Sequence, residues 1–333
     1  MNSSNHIPEW DGWRGLAILL VLIGHFTFSK WVWEERMGVD VFFVLSGMLM
    51  SNILFINRMS LKDFYIRRFS RVIPALVVFL LASLAVALLL NYEFKPVELL
   101  ASLVFVRTYF PADPVYYSTV LPTGHLWSLS VEEHSYIIMS ILSVVLIAHR
   151  KIVAFLFSLF LLSVFICWYN YLTIPASEFE ATLIRTETAI GFIAFSAGYN
   201  LLIKRNNLVL NGYVPVVCVF LAFACYVRLF PIWLTFTLCP VLLGVAINHL
   251  LQSTALVRRL FCFAPLRWFG VLSYSIYLWQ QIFYKLYYAL PGGALTAFLL
   301  SLIAGAGSFF LIENPARRYI NTKWSKTPSN RRA

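Results

Sequence analysis

The chain has 333 residues, 60% of them hydrophobic and 12% charged, with a mean hydropathy of +0.76, far from the soluble average of about 25% charged. Its 26 basic and 15 acidic side chains cannot clothe a soluble core of this size, so lipid must be much of its solvent. The net charge of +11 does not point to nucleic acid, because Lys and Arg fall in short clusters between apolar runs and form no single stripe with interleaved aromatics.

A helix needs roughly 20 apolar residues to cross a hydrocarbon core of about 30 Å. By that measure the sequence predicts an all-α, polytopic transmembrane bundle of about ten spans, near 13–31, 39–57, 72–91, 126–148, 152–172, 183–203, 209–227, 231–250, 268–289 and 294–312. Residues 1–13 lack a basic cluster, and the apolar run after them lacks a small-residue cleavage pattern, so that run reads as the first span and not as a removed signal. With no fixed-period repeat, residues 1–320 read as one membrane domain and 321–333 as a basic, disordered cytoplasmic tail.

Orientation follows from the excess of Lys and Arg on the cytoplasmic side. One set of alternate loops holds 19 of the 26 basic residues and includes both termini, which places both ends of the chain in the cytoplasm. The longest connection, about 92–125, then falls outside. It carries Tyr92, Phe94, Phe105, Tyr109, Phe110, Tyr116 and Tyr117, and its stretch 99–106 is too short to span. Those aromatics suit either an interfacial belt or a platform on which sugar rings stack. The five cysteines, Cys167, Cys218, Cys225, Cys239 and Cys262, form no CxxC pair and read as free buried thiols. No metal site is expected.

Ionisable side chains within spans are costly, and each one is a functional hypothesis. In the first span Arg14 and His25 are 11 residues apart, so they return to nearly the same helix face, roughly 16 Å apart along the axis. Arg14 marks the cytoplasmic mouth and His25 falls near the midplane. A neutral imidazole there can act as a general base toward a hydroxyl, or can simply hydrogen-bond a neighbouring helix.

The second cytoplasmic loop carries Arg67-Arg68-Phe69-Ser70-Arg71 just before a span. Its guanidinium forks suit the phosphates of a nucleotide-containing donor, while topology and anionic lipid also favour such clusters. The fourth span opens with His125-Leu126-Trp127-Ser128-Leu129-Ser130-Val131-Glu132-Glu133. His125, Ser128 and Glu132 can share one face, and two adjacent carboxylates need either a wet cavity or a position slid out to water. Glu313-Asn314-Pro315 reads chiefly as a helix terminus, since proline disfavours further helix.

These residues resemble those of acyltransferase family 3, bacterial membrane proteins that O-acylate surface and exported polysaccharides and related glycans. The resemblance runs over nearly the whole chain. It rests on Asp11-Gly12-Trp13-Arg14-Gly15-Leu16 with His25, on Gly38-Val39-Asp40-Val41-Phe42-Phe43-Val44-Leu45-Ser46-Gly47, and on Arg68-x-x-Arg71-x-x-Pro74. The segment from His125 to Glu133, Ser273-Tyr274-Ser275-Ile276-Tyr277-Leu278-Trp279 and Glu313-Asn314-Pro315 complete it. It implies a cytoplasmic acyl-CoA donor as co-substrate with no resident cofactor, and a carbohydrate or lipid-linked glycan acceptor at the outer face of a bacterial inner membrane.

Within the family pattern Arg14 and His25 match the paired residues of the first helix, Arg68 and Arg71 the basic motif, and Ser130 and Glu133 a Ser-x-x-Glu motif that Glu132 adjoins. On that match Arg14, Arg68 and Arg71 are expected to bind the donor, and His25 to be catalytic, activating the acceptor hydroxyl or relaying the acyl group, with Glu132 or Glu133 orienting the acceptor or tuning the imidazole. His125, Trp127, Ser128 and Ser130 are expected to support the acceptor. Relatives often place His after the Tyr-Leu-Trp run, where Gln280 and Gln281 stand here, and some carry an extra soluble esterase-like domain for which no room is expected after the last span. The rival reading from another class is a transporter or flippase for a lipid-linked sugar, because intramembrane His and Glu also build substrate pathways.

Overall fold

The computed structural model describes residues 7–27, 31–111, 121–146 and 149–324. Among them the architecture is all-helical. The ten expected segments each fall on a helix: α1 (Pro8–Phe26), α2 (Glu34–Ser51), α3 (Leu61–Leu89), and, after the short α4 (Val97–Leu103), α5 (Trp127–Val145) and α6 (His149–Thr173). A second short helix, α7 (Ala176–Thr182), leads to α8 (Thr186–Asn206), α9 (Val214–Cys225) and α10 (Ile232–Asn248). The short α11 (Ala255–Phe261) precedes α12 (Ala264–Leu286), α13 (Gly293–Ser308) and α14 (Asn314–Trp324).

Four helical stretches among the described residues are long and apolar enough to cross a membrane: Glu34–Ile56, Leu61–Leu89, Arg150–Thr173 and Gly293–Trp324. Val214–Cys225 and Ile232–Asn248 are apolar but shorter. Large apolar side chains such as Leu81, Phe165, Phe220 and Ile303 point outward, as lipid-facing surfaces require. The interior uses small and polar groups instead: Gly191, Ala194, Ser196, Ala197 and Gly198 on α8 are buried, which lets helices approach closely.

The core is built on α1, α2, α8 and α12. α1 packs between α2 and α12, α2 against α8, and α8 against α6 and α10. At the α1–α12 crossing the backbones nearly touch, because a Cβ on Gly15 would strike the Leu266 carbonyl and one on Gly270 the Asp11 carbonyl. An antiparallel bridge between Val32 and Val227, with Trp33 N donating to the Tyr226 carbonyl at 3.0 Å and Arg228 N to the Trp31 carbonyl at 2.8 Å, ties the segment after α1 to the one after α9.

Several boundaries differ from the sequence-based expectation. The first helix runs Pro8–Phe26, about one turn earlier than 13–31, because Pro8 at its first turn needs no hydrogen-bond acceptor for a missing N–H. His25 therefore lies in the last turn of α1 and not midway along it. α3 starts at Leu61, where the Ser60 hydroxyl accepts from Asp63 N at 3.1 Å, so the arginine cluster is helical and not a loop. Pro315 does not end its helix. A π-helical turn, Phe309–Glu313, precedes α14, and such a turn breaks the i→i−4 ladder where the proline would otherwise leave it unpaired. The basic tail expected from residue 321 is helical as far as Trp324, and residues 325–333 lie outside the described ones, as do Tyr116 and Tyr117. Of the five thiols, Cys167 and Cys239 are buried while Cys218, Cys225 and Cys262 are only half-buried.

Candidate functional site

Two cavities inside the bundle adjoin, sharing Val39 and Tyr277 in their linings. The first, of about 280 Å³, is lined by Arg14, Ser46, Arg68, Arg71, Ser128, Glu132, Tyr136 and Tyr274 among others. Because α3 begins early, Arg68 and Arg71 stand one turn apart on the same helical face, and both reach this arginine-lined cavity. Arg68 is held rather than free: its Nε donates to Glu133 Oε1 at 2.6 Å and its Nη2 to Glu132 Oε2 at 2.8 Å, with the guanidinium carbon 4.4 Å from the Tyr136 ring centroid. Glu132 also accepts from Ser46 Oγ at 3.0 Å and from the Tyr136 hydroxyl at 3.1 Å. Arg71 is the more open cation, 31% exposed and 3.7 Å from Glu313 Oε1, and Arg14 lies 3.1 Å from Asp11.

The second cavity, of about 490 Å³, is lined by His25, Trp33, Arg36, His125, Trp127, Gln281, Tyr284 and Lys285 among others. His25 Nδ1 lies 2.9 Å from Gln280 Oε1, and its ring stacks on Tyr284 at 4.7 Å. Gln280 is fully buried and its Nε2 donates to Gln281 Oε1 at 3.1 Å, which turns its carbonyl oxygen toward the histidine. That oxygen can only accept, so Nδ1 carries a proton, and in the neutral ring Nε2 is the nitrogen with the lone pair. His125 is buried at 6% exposure, its ring nitrogens make no hydrogen bond of standard geometry, and its ring packs on Tyr277 at 5.0 Å.

The structure brings together some of the expected site residues and separates others. Arg14, Arg68, Arg71, Ser128 and Glu132 share the first cavity, and His25, His125 and Trp127 the second. Glu132 and Glu133 are engaged by Arg68 and do not reach His25; the partner of that ring is Gln280. Glu133 lines neither cavity, being held behind Arg68. Ser130 also lines neither: it is buried at 1% and donates to the Leu126 carbonyl of its own chain at 3.2 Å. His125 does not share a face with Ser128 and Glu132, because it belongs to a 3-10 turn, Gly124–Leu126, ahead of α5, and that turn aims it into the other cavity.

Sequence reasoning missed three groups. Arg36 pairs with Asp40 at 2.8 Å, Asp40 accepts from the Tyr226 hydroxyl at 2.8 Å, and the Arg36 guanidinium sits 5.1 Å from the Trp127 ring and 4.6 Å from that of Phe236. The four-residue spacing of opposite charges at the start of the second helix was the available signal. Gln280 and Gln281 were noted only as departures. Glu313, read as part of a helix end, is buried at 1%, accepts from Ser275 Oγ at 2.8 Å and faces Arg71.

Lipid-facing helices around adjoining cavities, one gathering Arg14, Arg68, Arg71 and Glu132 and the other the His25 imidazole beside Arg36, Arg228 and Lys285, describe a membrane protein built around buried polar chemistry. The chain belongs to acyltransferase family 3: the family model described as an acyltransferase domain matches residues 7–313. It is 30% identical over 84% of its length to the peptidoglycan O-acetyltransferase OatA of Listeria monocytogenes, covering 49% of that protein. It is 28% identical to a provisionally named O-acetyltransferase of Staphylococcus aureus strain COL, over 94% of this chain and 58% of the relative. Identity is also 28% to BcsY of Komagataeibacter xylinus, provisionally named a membrane-bound transacylase, over 95% of this chain and 84% of that one. The chain thus spans about half the length of the first two relatives. No solved structure matches it.

Proposed function

We propose that this protein is a multi-pass O-acyltransferase of a bacterial inner membrane, with ten crossings and both termini in the cytoplasm. It takes an acetyl group from acyl-CoA on the cytoplasmic side and transfers it to a hydroxyl of a surface or exported polysaccharide or glycolipid. The relatives' printed names support the acyl group, and the polar cavities of the site support the route. The observation that carries the reading is the His25–Gln280 pair, which leaves Nε2 of the neutral ring as a base in the larger cavity, next to the cavity lined by Arg14, Arg68 and Arg71.

In this reading Arg14 and Arg71 meet the donor phosphates, and Arg68 with Glu132 and Glu133 braces the wall behind them. His25 Nε2 takes the proton of the acceptor hydroxyl as its oxygen attacks the thioester carbonyl. The tetrahedral intermediate collapses with cleavage of the carbon–sulfur bond, and the coenzyme thiolate leaves and takes up the proton from the imidazolium. The products are an O-acyl glycan and a free thiol, with no redox step. General-base assistance of this kind contributes typically 10²–10⁴-fold.

The test is transfer of radiolabelled acetyl from acetyl-CoA to glycan by the purified protein in liposomes. His25→Ala is expected to lower the rate by about that factor, and full transfer by this variant would remove His25 from catalysis.

A further inference from the structure

A further arginine stands beside Arg71 on the last helix. Glu313, Arg317 and Asn321 follow one another at four-residue intervals, which puts them on one side of that helix. The outer two both touch α3: Glu313 Oε1 lies 3.7 Å from Arg71 Nε, and Asn321 Oδ1 accepts from Ser70 Oγ at 3.1 Å. Arg317, midway between them, is therefore held against the same stretch of α3. It is close enough to Arg71 for the two cations to repel, and Arg71 in turn repels Arg14. Arg14 has Asp11 as its counter-charge, Arg68 has Glu132 and Glu133, and Arg71 has Glu313. Arg317 makes no ion pair among the described residues, and its Nη2 donates to the neutral Asn314 Oδ1 at 3.3 Å. It is half-buried, whereas Arg318 beside it is exposed. A guanidinium kept partly out of water next to another, without a carboxylate of its own, is costly, and an anion completes the arrangement.

We infer that Arg317 binds the 3′-phosphate of the coenzyme donor. The inference rests on the donor reading above and deepens it, because it divides the donor's phosphates between two places. In coenzyme A the diphosphate joins the pantetheine arm to the nucleotide, and the 3′-phosphate sits on the ribose beyond it. A donor whose thioester reaches His25 thus sets its diphosphate nearer the cavities and its 3′-phosphate farther out. Arg14 and Arg71 line the first cavity and meet the diphosphate. Arg317, beside Arg71 on the neighbouring helix and outside that lining, meets the phosphate beyond. A guanidinium fork grips a phosphate through two parallel N–H···O bonds, and the bound anion offsets both the missing counter-charge and the repulsion from Arg71.

The experiment compares KM for acetyl-CoA and 3′-dephospho-acetyl-CoA in the wild type, Arg317→Gln, Arg317→Lys and Arg71→Gln, using the full chain in neutral phosphatidylcholine liposomes with one acceptor. In the wild type the dephospho donor is expected to have a KM about tenfold or more higher, the worth of one hydrogen bond between charged groups. Arg317→Gln should raise KM for acetyl-CoA by about that factor and leave KM for the dephospho donor within about twofold, so that the two donors become alike. Arg317→Lys keeps the charge without the fork and should fall between. Arg71→Gln should raise KM for both donors together, since both carry the diphosphate. A wild type that treats the two donors alike overturns the assignment, as does an Arg317→Gln variant that changes both equally or neither. If the glutamine variant does not fold, the lysine variant decides, and a donor ratio unchanged from wild type overturns the assignment. Repeating the series in vesicles containing phosphatidylglycerol separates a lipid headgroup from the donor: a defect seen only there and shared by both donors assigns Arg317 to lipid phosphate instead. If the wild type transfers acetyl from neither donor, the donor reading fails and the 3′-phosphate site falls with it; acetyl transfer without preference between the donors sinks the site alone.

Discussion

His25 and Gln280, 255 residues apart in sequence, meet at 2.9 Å through Nδ1 and Oε1. The contact fixes a tautomer with a neutral partner, where a carboxylate would instead favour the imidazolium. Gln280→Leu removes the acceptor, leaves Nδ1–H unpaired and lets the ring turn, so kcat should fall roughly 10–100-fold. KM for both substrates should hold, because Gln280 is fully buried and reaches substrate only through His25. Gln280→Glu keeps an oxygen at the same place and should retain more transfer than the leucine variant. Steady-state kinetics on the two variants decides the matter, and a leucine variant with unaltered kcat would deprive Gln280 of its positioning role.

Arg68 and Arg71 have the same charge and lie one turn apart, yet the structure gives them different work. Arg68 is 13% exposed and pairs with two carboxylates; removing one member of a buried pair costs about 3–5 kcal/mol. Arg68→Gln should therefore lower the thermal unfolding temperature in detergent and the yield of folded protein. Arg71 is 31% exposed with one long contact, 3.7 Å, to the buried Glu313 carboxylate, a weaker hold than the two short contacts of Arg68. Arg71→Gln should lower the unfolding temperature less than Arg68→Gln does and raise KM for acetyl-CoA several-fold. An equal loss of stability in both would show that Arg71 too is structural.

The helices and the cast of polar residues were readable in the sequence because apolar run length and the cost of charge in lipid act locally. Each expected span has its helix, and Arg14, His25, Arg68, Arg71, His125, Trp127, Ser128 and Glu132 all face a cavity. What could not be read was which of them meet. The pairing of Arg68 with Glu132 and Glu133, and of His25 with Gln280, is set by how α3, α5, α1 and α12 cross, and no periodicity along one helix encodes a crossing. The buried Arg36–Asp40 pair was legible in spacing, but Arg36 was counted only among the basic residues and Asp40 only as part of the resemblance. Pro315 misled because the π-helical turn ahead of it, which lets the helix continue, leaves no sequence mark as plain as the proline itself.

The α1–α12 crossing that brings Gln280 to His25 depends on Gly15 and Gly270, whose missing Cβ atoms make room for the carbonyls of Leu266 and Asp11. Backbone cannot yield as a side-chain tip can, so Gly270→Ala should force the helices apart. The expected result is loss of the monodisperse folded peak in size-exclusion chromatography, with Gly307→Ala, at a position with nothing within 4 Å, eluting as wild type. Normal elution and activity of the Gly270 variant would mean that the crossing is looser than the geometry requires.

Asp40 and Arg36 make the sharpest case for a buried charge kept for the sake of a wall. Asp40 is fully buried, its carboxylate is shared by Arg36 and the Tyr226 hydroxyl, and Arg36 in turn stacks near Trp127 at the edge of the histidine cavity. Asp40→Asn strips the charge partner from a guanidinium that is itself 9% exposed, and about 3–5 kcal/mol should be lost. Tyr226→Phe removes one hydrogen bond to a charged group and should cost about 1.5–3 kcal/mol. Replacing both charges, Arg36→Met with Asp40→Leu, removes the desolvation penalty together with the attraction, and stability should recover most of the loss seen in Asp40→Asn. Transfer should not recover with it, since the guanidinium that lines the histidine cavity is gone. Thermal unfolding and acetyl transfer measured on the same three preparations separate the two effects, and a double variant that regains activity along with stability would reduce Arg36 to a purely structural part.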